Sequence, residues 1–226
     1  MSRMLVRLLA DELLVGAVLF VSAGTLAWSR AWVLLVVQFV VRTIGALAIA
    51  RVSPALVSER AGLPLHADQR SADRFLVLAV LGTGFLGLPL VAGLDVFRWH
   101  VLPRPSVEVA IVGIVLFALG WVLKNLALWS NAFAVTVVRV QREREHAVVD
   151  VGPYGVVRHP FYAADPLIFV GLGLWLGSYL AVLCAVVPLG LMVGRLQLEE
   201  KVLRTQLPGY VGYMQRVRYR LFPGIW

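Results

Sequence analysis

VEVAIVGIVLFALGWVLKNLALW, residues 107–129, decides the class of this protein. Its only charges are Glu108 near one end and Lys124 near the other. About 20 apolar residues rising 1.5 Å each cross the ~30 Å hydrocarbon layer of a bilayer. Five further apolar segments lie at 13–28, 31–50, 75–94, 167–177 and 179–194. The first two are joined by little more than Ser29-Arg30 and predict a tight helical hairpin. The fifth is too short to span if it starts at Leu167. It either begins as early as Phe161 or forms a half-depth helix against the sixth. The expected fold class is therefore all-α, a polytopic membrane helical bundle of about six segments.

Composition agrees. The chain is 60% hydrophobic, with a mean hydropathy of +0.82, above the apolar share of soluble domains. Of its 21 basic residues 19 are Arg, and the net charge is +8. The cations sit in loops, where insertion topology and anionic lipids account for them, and no nucleic-acid partner is expected. With the N-terminus cytoplasmic, only Arg30, Arg98 and Arg104 among the loop cations fall outside. The positive-inside rule thus predicts a multi-pass membrane protein with both termini cytoplasmic, and the Arg-rich, Ala/Val-rich composition suggests a bacterial cytoplasmic membrane. Asp11 and Glu12 interrupt the approach to the first apolar run, which reads as a span rather than a cleaved signal. The single cysteine, Cys184, excludes an internal disulfide, and no His-x-x-x-His or Glu-x-x-His spacing predicts a metal site.

Several internal features have competing readings. Arg42 lies about two turns from the cytoplasmic end of its span, so snorkelling is the expectation. Lys124 and Asn125 are candidates to line a pocket, because charges within spans mark sites. The run Gly82-Thr-Gly84-Phe-Leu-Gly87 matches G-x-G-x-x-G, but it lies within a span and lacks the strand that a dinucleotide fingerprint needs. Gly173/Gly177 and Gly190/Gly194 fit small-xxx-small helix packing. Residues 53–73, with Pro54 and Pro64, form a polar linker able to hold a short interfacial helix.

The chemistry-bearing stretch runs from His146 to Tyr162. Gly152-Pro153 and Gly155 force turns. Arg158, His159 and Tyr162 then offer donors, a titratable ring and an aromatic platform. Pro160 biases His159 toward extended backbone, and Asp165-Pro166 reads as a helix start, where a carboxylate ligand is also favoured. A second cluster, Arg195-Leu-Gln-Leu-Glu199-Glu200, continues the sixth apolar run. Arg195 and Glu199 are four apart and share a helix face, which by spacing alone fits a surface ion pair worth a few tenths of a kcal/mol.

Taken together, Gly152-x-Tyr154-x-x-x-Arg158-His159-Pro160-x-Tyr162, the helical hairpin, Arg195-x-x-x-Glu199-Glu200-x-x-Leu203 and Tyr210-x-x-Tyr213 before Arg220 and Pro223 carry a resemblance. They resemble the C-terminal domain of the isoprenylcysteine carboxyl methyltransferases and their phospholipid-methyltransferase relatives. The resemblance covers roughly 133–226. It implies S-adenosylmethionine as cofactor, bound in a cytoplasm-facing pocket without a soluble Rossmann domain. By position it implies a cofactor wall of His146, Ala147, Val148, Val149, Tyr154, His159, Pro160, Phe161 and Tyr162. Glu199 would contact the cofactor and Arg195 the methyl acceptor; Arg139 matches a further cofactor position by spacing only. Ala164 stands where the family usually has Gly. Asp165 follows in place of an apolar residue, as an N-cap or as a group facing the acceptor channel.

The expected organisation is a set of N-terminal membrane helices over 1–129, forming the acceptor side, and a C-terminal catalytic region over 130–226. The expected activity is methyl transfer to a lipophilic or small carboxylate, thiol or amine acceptor, with membrane lipids around the chain. Two rivals remain: an NADPH-dependent reductase of the sterol-reductase type, and a non-enzymatic transport or assembly protein on the same scaffold.

Overall fold

A computed structural model describes residues 2–62, 69–141 and 144–226. Among them all regular structure is helical: α1 (Ser2–Ala23), α2 (Ser29–Val52), α3 (Pro54–Arg60), α4 (Ser71–Trp99), α5 (Val107–Ser130), α6 (Pro160–Leu176), α7 (Tyr179–Gln206) and α8 (Tyr210–Arg216). Four of these, α2, α4, α5 and α7, are long and apolar enough to cross a membrane. The six apolar segments correspond to α1, α2, α4, α5, α6 and α7, so the protein is a polytopic helical membrane protein. Helix α1 carries Arg7, Asp11 and Glu12 along its length, and α6 is shorter than the other five. The fifth segment starts at Pro160, the earlier of the two starts considered.

Pro54 opens α3 after Ser53, inside the linker where a short helix was expected. Pro64 falls outside the described residues. Within α4 the backbone widens to i→i+5 bonding over Leu81–Gly87, just before Pro89, whose ring has no N–H to give to the preceding turn. The G-x-G-x-x-G run occupies this widened turn, and Gly84 lies against the Phe169 ring of α6. It is a packing device within a helix.

The closest helix pair is α5 with α6. A Cβ on Gly171 would fall 2.6 Å from the Gly113 carbonyl oxygen and 2.6 Å from the Phe117 nitrogen. One on Gly120 would fall 3.0 Å from the Ala164 carbonyl oxygen. The sequence pointed to other glycines. Gly173 does admit Val182 of the returning helix, but Gly177 adopts φ +91° to end α6, and Gly190 has no atom within 4 Å of where its Cβ would stand. Small residues permit close approach only where a partner helix faces them, and no periodicity reveals the partner.

At the hairpin between α6 and α7, the Ser178 hydroxyl donates to Asp95 (2.6 Å) and accepts from the Ala181 N–H (3.0 Å). The opposite end of the bundle gathers the linkers and the tail. Arg7 donates to the Gly62 carbonyl, Arg60 to the Ala134 carbonyl (2.8 Å), and the Arg158 N–H to the Tyr219 carbonyl (2.9 Å). Helices α1 and α4 touch near Ser22 and Gly93 at the hairpin end. Toward the linker end a cavity lies between them.

Candidate active site

That cavity has a volume of about 590 Å³ and is shared by both halves of the chain. Its apolar wall comes from Leu14 and Val15 of α1, Leu81 and Phe85 of α4, Trp121 of α5 and Met192 of α7. Its polar end is built from the loop after α5, the start of α6 and the end of α7.

Of the residues singled out from the sequence, His146, Ala147, Val148, Val149, Tyr154, His159, Phe161, Tyr162, Arg195 and Glu199 all line this one cavity. Pro160 does not; it is buried at the first position of α6. The His146 ring stacks on Phe133, centroids 4.4 Å apart.

Arg195 and Glu199 share a helix face, yet among the described residues Arg195 does not pair with Glu199. Arg195 Nε donates to Asp73 Oδ1 (3.0 Å), Nη1 to the Tyr162 hydroxyl (2.7 Å), and Nη2 to the Thr136 carbonyl. The Tyr162 hydroxyl in turn donates to Glu199 Oε2 (2.6 Å). One phenol thus bridges the two charges, and the surface ion-pair reading is replaced by a chain Asp73–Arg195–Tyr162–Glu199. Asp73 is only 1% exposed and also accepts from the Val138 N–H (3.1 Å), fixing the loop over the cavity. Asp73 also accepts from Gln69 four positions earlier (2.7 Å), but its partners at the site lie 65 and 122 positions away.

The neighbouring Glu200 faces the other way. It accepts from Arg158 Nε (2.7 Å) and Arg220 Nε (2.9 Å) and meets His159 Nε2 at 3.3 Å. Arg158 Nη1 also donates to the Val217 and Arg218 carbonyls. The polar atoms of the Arg-His-Pro element are therefore committed to holding the tail. His159 reaches the cavity as a wall, with its ring nitrogen turned to Glu200. Tyr213 completes the lock by donating to the Tyr154 carbonyl (2.7 Å).

Of the polar residues placed within spans, Lys124 and Asn125 line the cavity, as expected of candidates for a pocket, while Arg42 finds partners inside the bundle. Arg42 does not snorkel: it pairs with Asp11 (2.6 Å) and Glu12 (3.3 Å), and its Cζ lies 5.0 Å from the Trp121 ring centre. Lys124 lines the cavity and pairs with Asp165 (2.7 Å). Asp165 sits inside α6, which begins at Pro160, so its carboxylate serves Lys124 instead of a helix end. Asn125 also lines the cavity and donates to the Val41 carbonyl (2.9 Å).

Burial shapes the titration of the linker end. Burial, followed by the charge of Glu199, pushes the Tyr154 phenol up; burial, followed by Glu200 and Glu199, does the same to Tyr210. Both stay protonated donors at neutral pH. Desolvation pushes the Arg60 guanidinium down to about 10, still charged. Two buried polar atoms in the cavity wall, the Tyr210 hydroxyl and Trp121 Nε1, have no hydrogen-bond partner among the described residues. Buried polar groups are normally satisfied, so both atoms are open to a partner in the cavity.

Compared with known proteins, residues 109–208 match the family model described as phospholipid methyltransferase. The matched region is less than half of the chain. It contains α5, α6, α7, Arg195 and Glu199, and stops before Tyr210 and Tyr213. Among solved structures the chain is similar to the eukaryotic intramembrane Ras methyltransferase ICMT, an isoprenylcysteine carboxyl methyltransferase. The likeness has a TM-score of 0.56 at 22% identity and covers 85% of this chain and 65% of that one. The fold is therefore that of an intramembrane methyltransferase. A comparison with curated proteins returns no match. The family region supplies much of the polar end of the cavity, while α1 to α4, outside it, add an apolar wall of their own.

Proposed function

We propose that the protein is an S-adenosylmethionine-dependent methyltransferase that modifies a lipophilic acceptor entering from the bilayer. The observation that carries this reading is the convergence of the family region and the apolar α1–α4 wall on one cavity, with the Arg195–Tyr162–Glu199 chain at its polar end. The volume lies within the range of cofactor and ligand sites. The residues suit the cofactor: Glu199 offers a carboxylate for its ammonium group, and the Tyr210 hydroxyl is a buried donor without a partner among the described residues. When bound, the cofactor supplies a methyl group already activated on a sulfonium.

The chain's task is then mainly positioning, which in-line transfer rewards strongly. In this reading His146, Ala147, Val148, Val149, Tyr154, Phe161 and Tyr162 wall the cofactor, with His159 and Pro160 shaping the wall from behind. Glu199 holds the cofactor, oriented by Tyr162. Arg195, held by Asp73, faces the acceptor. The loop 131–141 and the tail cover the site and exclude water, which strengthens these fixed charges. A carboxylate or thiolate acceptor needs no strong base, and a neutral amine carries its own nucleophilic lone pair.

The experiment is calorimetric titration of the purified protein with S-adenosylhomocysteine and, separately, with NADPH. Binding of the adenosyl compound without binding of NADPH is the expected result. The reverse selectivity would favour a nicotinamide-dependent reductase.

A further inference from the structure

Arg60 ends α3, outside the matched family region, and reaches the same cavity. Its Nε is spent on the Ala134 carbonyl (2.8 Å). Its Cζ lies 4.8 Å from the centre of the Phe161 ring, the ring that also carries Lys124 Nζ at 3.7 Å. The other cavity cations each have a carboxylate. Arg42 and Arg7 use Asp11, Lys124 uses Asp165, Arg195 uses Asp73, Arg158 uses Glu200 and Arg139 uses Glu59. Among the described residues Arg60 has none within ion-pair distance.

Arg60 also lies close enough to Tyr154, Tyr162, Glu199 and Arg195 to interact with them electrostatically, which puts it at the polar end of the site. A desolvated cation without a paired anion is unfavourable unless a ligand compensates it. With Nε occupied, its two Nη groups remain as a planar donor edge, the shape that suits a carboxylate fork.

We propose that Arg60 is a specificity-determining residue that receives a carboxylate carried by a ligand of this cavity. The proposal rests on the reading above that the cavity is a cofactor and acceptor site. Two sources share this chemistry, the amino-acid end of the cofactor and an acid group on the acceptor. Arg60 supplies to either one the countercharge that the family region does not, since among the described residues each cavity-lining cation of that region already pairs with a carboxylate.

The test uses the full chain in lipid nanodiscs and two matched ligand pairs. The first pair is S-adenosylhomocysteine and its decarboxylated analogue. The second is oleate and oleyl alcohol, titrated with the adenosyl site saturated. The wild type is expected to prefer the acid of at least one pair by roughly tenfold or more, the scale of a charge-assisted hydrogen bond. Arg60→Gln is expected to abolish that preference, and Arg60→Lys to restore part of it. Loss in the first pair assigns the carboxylate to the cofactor, and loss in the second to the acceptor. No acid preference in the wild type, or one that persists in Arg60→Gln, overturns the proposal. Melting temperatures of the ligand-free variants separate a folding defect from a binding one, and Arg60→Lys carries the test if Arg60→Gln fails to fold. If S-adenosylhomocysteine does not bind the wild type, the proposed function fails, while the oleate pair, titrated alone, still tests Arg60.

Discussion

Glu200→Gln is expected to damage stability, while Glu199→Gln one position earlier damages ligand binding. Glu200 is 4% exposed and holds Arg158 Nε at 2.7 Å and Arg220 Nε at 2.9 Å. Glutamine retains one acceptor oxygen and turns an N–H₂ donor toward a guanidinium. Breaking a buried ion pair from one side costs about 3–5 kcal/mol. Arg158 keeps the Val217 and Arg218 carbonyls as acceptors, which favours the lower end of that range. Arg220 is 29% exposed, so solvent screens it and its share is about 0–1 kcal/mol. The sum is about 3 kcal/mol, or roughly 6–12 °C in Tm for a chain of this size. The assay is thermal unfolding of the ligand-free protein in detergent, followed by titration with S-adenosylhomocysteine below the transition. Glu199→Gln is expected to shift the ligand-free Tm far less, because its hydroxyl partner Tyr162 also has Arg195. Equal Tm losses in the two variants would refute the opposed orientation of the two glutamates. So would an unchanged Tm for Glu200→Gln.

In the same titration, Glu199→Gln is expected to weaken S-adenosylhomocysteine by about 1.5–3 kcal/mol, roughly ten- to a hundred-fold, and an unchanged affinity would remove Glu199 from the cofactor site. Arg195→Ala is expected to lower methyl transfer more than cofactor affinity, measured by comparing turnover with binding. A larger effect on binding would place Arg195 on the cofactor. Gly171→Val adds a side chain where a Cβ already meets backbone at 2.6 Å, so loss of a monodisperse species on size exclusion is expected, with Gly190→Val, in open space, as the tolerated control. Cysteine labels at Gly62 and Gly209 are expected to react from the cytoplasmic side and one at Pro103 from the other. Labelling of positions 103 and 209 from one side would exclude the six-segment arrangement with the N-terminus inside.

The apolar runs by themselves determined a helical membrane protein, because bilayer thickness is a length constraint that any chain segment must meet alone. The ordered motifs from Gly152 to Tyr213 likewise pointed to one cavity, since their residues are close in sequence or one hairpin apart. Only the tertiary structure decided which partner each charge takes. Spacing placed Arg195 and Glu199 on one face, but Asp73, 122 positions away, and the Tyr162 hydroxyl took the arginine. Spacing put Glu199 rather than Glu200 on the face of Arg195, but it did not show that Glu200 holds Arg158 and Arg220. Arg42 was expected at the interface and is held by Asp11 and Glu12 of the adjacent helix. Asp165 was expected as an N-cap or as a group facing the acceptor channel; it lines the cavity and is held by Lys124 across the α5–α6 contact. Glycine packing followed the same rule, since a missing side chain matters only against the helix that fills its place. Burial and local periodicity are properties of a segment, whereas ion pairs and close approaches are properties of two, and the second member is chosen by how the helices pack.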